Sequence, residues 1–170
     1  MSKKLLTGGV VFVIALGVLI WIARPSDTVS VSGNGDTTAT ATPGALVTDE
    51  PQVALGSVSM AAGDVTRTFT VRNTSNAAVT LRQMYTSCMC TTASVEFSNG
   101  VRRGPYGMPG HGINPSFEER IEPNETFTVA VVFDPAAHGP AGIGPVERTV
   151  TLEYDEGKML TFGFSATVTP

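Results

Sequence analysis

Cysteine is nearly absent from this 170-residue chain: it has two, Cys88 and Cys90, one residue apart. That count excludes a multi-bridge disulfide scaffold and a four-cysteine zinc site. Histidine is as sparse, with His111 and His138 alone. No Gly-x-Ser-x-Gly, His-Glu-x-x-His or phosphate-cradling glycine loop occurs, so the common hydrolase and nucleotide-binding chemistries have no foothold. Positive charge is short as well. Of 11 basic residues three, Lys3, Lys4 and Arg24, precede residue 25, which leaves 8 against 15 acidic ones in the remainder. A nucleic-acid binder wants the opposite sign. The adjacent acids Glu118-Glu119 and Asp155-Glu156 point to opposite faces of a strand or into solvent at a turn, so they make no catalytic dyad. No stretch beyond residue 24 repeats apolar residues with helical period.

What the N-terminus does have is one long apolar run. Lys3 and Lys4 precede Leu5 to Ala23, 19 residues without a charge, and Arg24-Pro25 follow. At about 1.5 Å per residue such a helix crosses most of a roughly 30 Å hydrocarbon core. Trp21, two before Ala23, stands where signal peptidase wants a small residue. Residues 1–24 are therefore read as an uncleaved single-pass anchor, with a cleaved signal segment as the alternative. The lysines set a cytoplasmic N-terminus and place the rest outside the cytoplasm. Residues 25–50 are rich in Ser, Thr, Ala and Gly and lack aromatic residues. This segment buries too little to fold alone and reads as a flexible tether, with Ala45 to Thr48 as an alternative first strand.

Residues 51–170 form one domain-sized unit with an all-β pattern. Val65 to Asn73, Thr126 to Phe133, Val146 to Tyr154 and Met159 to Val168 alternate apolar and polar residues. Turn-forming clusters at Asn73 to Ala77, Pro123-Asn124, Asp134-Pro135 and Asp155 to Gly157 separate them. Short strands at this spacing predict a β-sandwich with Phe69, Val71, Leu81, Phe127, Val129, Val131, Phe133, Leu152, Phe162 and Phe164 in the core. Residues 98–117 interrupt the pattern with a Gly- and Pro-rich insertion too long for a hairpin turn.

Chemistry concentrates in Ser87-Cys88-Met89-Cys90-Thr91. On a regular strand both sulfurs face one side, and an extended i to i+2 step is at or beyond the usual reach of a disulfide. The pair needs a sharp turn that permits a bridge, a shared soft metal, or two independent thiols, buried as small hydrophobes. For a copper or zinc site the candidate ligands are Cys88 and Cys90, with Met84 on the same face and Met108 or His111 from the insertion. Met89 points away from that face. His138, alone in a turn-rich connection, reads as solvated.

Leu55-Gly56-Ser57-Val58, Phe69 to Asn73, Val79-Thr80-Leu81, Ser87 to Thr91, Ile121 to Glu125 and Phe133-Asp134-Pro135 follow in an order that resembles the bacterial immunoglobulin-like domain-of-unknown-function family 1573. The resemblance spans about Gln52 to Thr169, with Ser-Cys-x-Cys-Thr its most specific element. It implies an immunoglobulin-like sandwich, similar to abnormal-spindle and hydin-type domains, in a bacterial envelope. The family usually has Gly between the cysteines, where this chain has Met89. It also has Gly after the later proline, where this chain has Asn124, which tolerates the same left-handed conformation.

Two functional classes follow. The first is a membrane-tethered module without a cofactor that binds a protein or envelope component through sheet edges or the insertion, with Arg102, Arg103, Tyr106 and His111 as a recognition loop. The second is a thiol-redox or soft-metal protein centred on Cys88 and Cys90. They part on whether replacing both cysteines abolishes activity.

Overall fold

The computed structural model describes residues 45–111 and 114–170. The predicted membrane helix and most of the predicted tether lie outside these residues. Among those described, no helix is long and apolar enough to cross a membrane.

Ten strands pack as two five-stranded sheets. One sheet has the order β1 (Leu46–Thr48), β3 (Val65–Asn73), β8 (Thr126–Phe133), β5 (Thr91–Glu96) and β6 (Arg102–Tyr106). The other runs β2 (Gln52–Ser59), β10 (Lys158–Thr169), β9 (Gly144–Tyr154), β4 (Val79–Thr86) and β7 (Glu119–Ile121). Every pairing is antiparallel except β2 with β10. This is the all-β sandwich expected from the alternation, and its period-2 pattern explains the register. Phe69 pairs with Val129 and Val71 with Phe127, so both strands turn the same parity inward. All ten residues assigned to the core from the sequence are buried. Phe69 meets Phe162 and Phe133 meets Phe164 across the two sheets, at centroid distances of 4.8 and 5.1 Å.

Two boundaries differ from the sequence expectation, and at the cysteine pair the sharp turn is the alternative that holds. The sandwich begins before residue 51, because Leu46 is buried and β1 pairs with the end of β3, the alternative weighed for Ala45 to Thr48. The insertion 98–117 is only in part a loop. Its first half forms β6 on the edge beside β5, and Tyr106 is buried against Phe117, 5.3 Å away. Alternation was invisible there because Arg102, Arg103, Gly104 and Pro105 are all exposed. Ser87 to Cys90 leaves the ladder as a turn and does not continue the strand.

One pole of the sandwich is organised by Asn73, which is fully buried at the end of β3. Its Nδ2 donates to the carbonyls of Ala77 at 2.9 Å, Ile121 at 3.1 Å and Glu122 at 3.3 Å. Its Oδ1 accepts from the backbone N–H and the hydroxyl of Ser75. Asn124, next to it, has φ of 64°, the left-handed conformation asparagine tolerates. The chain enters β1 at this pole, with Thr74 N–H donating to Ala45 O.

Candidate functional site

The opposite pole is where the chain changes sheets three times, first between β2 and β3 through residues 60–64. β4 lies in one sheet and β5 in the other, and residues 87–90 make that crossing. β8 and β9 are likewise in different sheets, joined by residues 134–143, which include a 3-10 turn at Gly139–Gly142. Neighbouring crossovers bring together residues that are distant in sequence.

Cys88 and Cys90 are joined by a disulfide, with Cα atoms 5.3 Å apart. An extended strand would hold them too far apart; the turn shortens the step into bridging range. Thr91 N–H donates to Cys88 O at 3.2 Å, closing the turn. The Thr86 hydroxyl lies 3.0 Å from Cys88 O and 2.9 Å from Thr91 O. Ser87 N–H donates to Thr149 O, while Ser87 Oγ accepts from Thr149 N–H, and Asp134 N–H donates to Cys90 O. Met89 forms the apex and is 53% exposed. Its φ is negative, so the position usually held by glycine in the resembled family demands no left-handed backbone here.

Two cationic or cation-capable side chains touch the bridge. Arg148, half-buried on β9, directs Nε–H at Cys90 Sγ, 3.1 Å away. His138, exposed, places Nε2 3.3 Å from Cys88 Sγ. A bridged sulfur has no proton to give, so the tautomer that makes this contact carries its hydrogen on Nε2. Asp134 sets the path to His138: its Oδ1 accepts from Ala136 N–H and its carbonyl from Ala137 N–H. Gly142 leaves the room, since a Cβ there would stand 3.1 Å from His138 Cβ. Gly163 does the same for Arg148, because a Cβ on it would lie 2.0 Å from the Arg148 carbonyl oxygen.

Of the candidate ligands named from the sequence, Cys88 and Cys90 come together and His111 does not join them. Cys88, Cys90 and His138 offer atoms within 4.8 Å of one another; His111 belongs to no such group among the described residues. His111 sits exposed in a turn closed by its own N–H to Met108 O. Met84 is fully buried in the apolar core. Bridged sulfurs offer no thiolate to a metal, and the Arg148 guanidinium beside Cys90 opposes a cation there. Cys88, Cys90 and His138 would form a ligand set only after reduction.

The proposed recognition loop is distributed differently as well. Arg102 pairs with Glu96, and Arg103 lies 3.7 Å from Glu119. Tyr106 is buried, which raises its pKa above 10.0, with Arg103 opposing the shift. His138 and Arg148 escaped the sequence reading because they stand 50 and 58 residues from the cysteines they touch. No local spacing signals that contact, and only the paired crossovers create it.

Known proteins supply a family match over part of the chain, and a fold. The family model DUF1573, protein of unknown function, matches residues 46–104. No curated protein matches the chain. Among solved structures, a protein of unknown function from Porphyromonas gingivalis W83 superposes with a TM-score of 0.50 at 11% identity. The alignment covers 72% of this chain and 46% of that one, so this chain spans less than half of that relative's length. The ASH/PapD-like domain 7 of human CEP192 aligns at 13% identity, over 82% of this chain and 96% of that one, with a TM-score of 0.44. The periplasmic chaperone SfaE aligns at 8% identity, over 74% of this chain and 58% of that one, with a TM-score of 0.39. Residues 46–104, which hold the Ser-Cys-x-Cys-Thr turn of this β-sandwich, match the DUF1573 family of unknown function, in line with the resemblance carried by that motif.

Proposed function

We propose that this chain is a membrane-tethered binding module on the extracytoplasmic side of a bacterial envelope, and that it holds an extended segment of a partner protein by strand addition along β2. One observation carries the reading: β2 is the one long sheet edge among the described residues without a guard. Sheet edges expose unpaired N–H and C=O groups, and proteins blunt them with charge, proline or brevity. β1 and β7 have three residues each. β6 carries Arg102, Arg103 and Pro105. β2 has eight residues, Gln-Val-Ala-Leu-Gly-Ser-Val-Ser, with neither a charge nor a proline. It pairs only with β10, on one side, and its ladder continues on both sides of the irregularity near Gly56. An added strand would draw affinity from main-chain hydrogen bonds and specificity from alternate side chains.

The apolar stretch 5–23 supports the tether, and the acidic balance supports a protein partner over nucleic acid. Site-specific photo-crosslinking of the full chain in its own host tests the proposal. A probe at Ser57 should give one discrete protein adduct in carbonate-washed membranes, lost in an Ala54→Lys variant, while a probe at Arg103 gives none. An adduct indifferent to Ala54→Lys, an adduct consisting of two copies of this chain, or recovery of the chain in the soluble cytoplasm would overturn it.

A further inference from the structure

We propose that the Cys88–Cys90 turn is a thiol–disulfide exchange centre that oxidises protein dithiols, with Arg148 and His138 as the residues that position and stabilise its sulfurs. The inference stands apart from strand addition at β2 and rests on the geometry of the turn.

The bridge is poorly suited to being a staple. It joins residues only two apart in sequence, so it removes little freedom from the unfolded chain. Thr86, Ser87, Thr91, Asp134 and Thr149 already pin the turn by hydrogen bonds, so the backbone stays in place when the sulfurs part.

The two sulfurs are also unequal. Cys88 is 9% exposed and Cys90 3%, so an incoming thiolate reaches Cys88 first. Cys90 is held from behind by the Arg148 guanidinium, where a leaving thiolate is stabilised by charge. Met89, exposed between them, offers an apolar foothold for a substrate chain. His138 Nε2–H stands at the second sulfur to leave, on Cys88.

The exchange balances without a further reagent. One thiolate of a substrate dithiol attacks Cys88 Sγ; a new S–S bond forms, the Cys88–Cys90 bond breaks, and the electron pair leaves on Cys90 Sγ beside Arg148. The second substrate thiolate then attacks the substrate sulfur of the mixed disulfide. Cys88 departs as a thiolate that accepts a hydrogen bond from His138 Nε2–H. The substrate dithiol is oxidised to a disulfide by two electrons, the protein bridge is reduced by two, and protons exchange with water. An extracytoplasmic location is one in which such a bridge persists and protein dithiols await oxidation.

The test uses the folded full chain, with dithiothreitol as the probe dithiol. The second-order rate of bridge reduction and the equilibrium against a dithiothreitol redox buffer are measured for wild type, Arg148→Gln, Arg148→Lys and His138→Gln, with circular dichroism showing that each remains folded. Loss of the cation should leave the reduced form about tenfold less favoured, about 30 mV in a two-electron couple, and slow bridge opening about threefold or more. Arg148→Lys should restore most of both, which a merely structural contact would not do. His138→Gln should raise the partitioning of the mixed disulfide trapped in Cys90→Ser, because Cys88 then leaves less readily. A bridge that dithiothreitol opens only after the chain unfolds, or rates and equilibria unchanged in Arg148→Gln, would overturn the proposal. If Arg148→Gln fails to fold, the His138→Gln measurement decides: a mixed-disulfide partitioning unchanged from wild type overturns the proposal.

Discussion

Opening the Cys88–Cys90 bridge should cost the fold little. The loop it closes contains three residues, since the two cysteines are separated by two positions. In the chain-entropy account a loop of that size contributes about 1.6 kcal/mol at 25 °C, against about 3 kcal/mol for a loop of 15 residues. Reduction removes that constraint and leaves both sulfurs in place, so no cavity follows. Hydrogen bonds from Arg148 and His138 to the freed sulfurs offset part of the loss. The expected destabilisation is therefore at most about 1.6 kcal/mol, or a midpoint shift of about 1 M urea for a slope near 1.5 kcal/mol per molar. Urea unfolding of the full chain, with and without reductant and followed by circular dichroism, measures it directly. A loss of about 3 kcal/mol or more, or an unfolded reduced chain, would refute the reasoning and identify the bridge as a staple.

Other consequences follow from the same coordinates. Asn73→Asp, almost isosteric, would turn a carboxylate oxygen toward the carbonyls of Ala77, Ile121 and Glu122, and should destabilise at least as much as Asn73→Ala, about 2–4 kcal/mol in chemical denaturation. Equal stability of Asn73→Asp and wild type would show that those three bonds contribute nothing. Gly163→Ala, whose Cβ would meet the Arg148 carbonyl, should cost about 3 kcal/mol or more and lower the yield of folded protein, with thermal melts as the check. Burial raises the Tyr106 pKa, so the folded state favours the neutral phenol; this stabilisation is present below pH 10.0 and lost as pH climbs through the raised value. Ultraviolet titration should show a late tyrosine ionisation that Tyr106→Phe removes, with a flatter decline of stability in strong alkali. Reduced chain dialysed against a moderate chelator should retain no stoichiometric copper(I), because Arg148 occupies the flank of Cys90; retention lost on His138→Gln would establish a metal site instead.

The sheets were legible because a half-buried strand writes its burial into every second residue. Phe69, Val71, Phe127, Val129, Val131 and Phe133 follow that parity without exception and are all buried. β6 was illegible for the same physical reason reversed: four of its five residues are exposed on a sheet edge, so no alternation marks them. The Cys88–Cys90 geometry turned on backbone direction. The strand pattern up to Thr86 says nothing of where the ladder ends, and the turn at Ser87 decides whether a bridge is reachable. His138 and Arg148 were beyond any local pattern, since their meeting with the sulfurs depends on which strands change sheets.

That dependence bears on why chemistry sits at this pole. Strand interiors here are committed to the core by parity, so side chains free to touch one another across long sequence distances gather where strands cross between sheets. The same pole receives the C-terminal end of β2. A Cβ on Gly142 would stand 3.1 Å from His138 Cβ and 3.8 Å from Met60 Cε, which puts Met60, immediately after β2, and His138 around one glycine. The end of β2 and the imidazole that touches Cys88 Sγ therefore lie at the same pole.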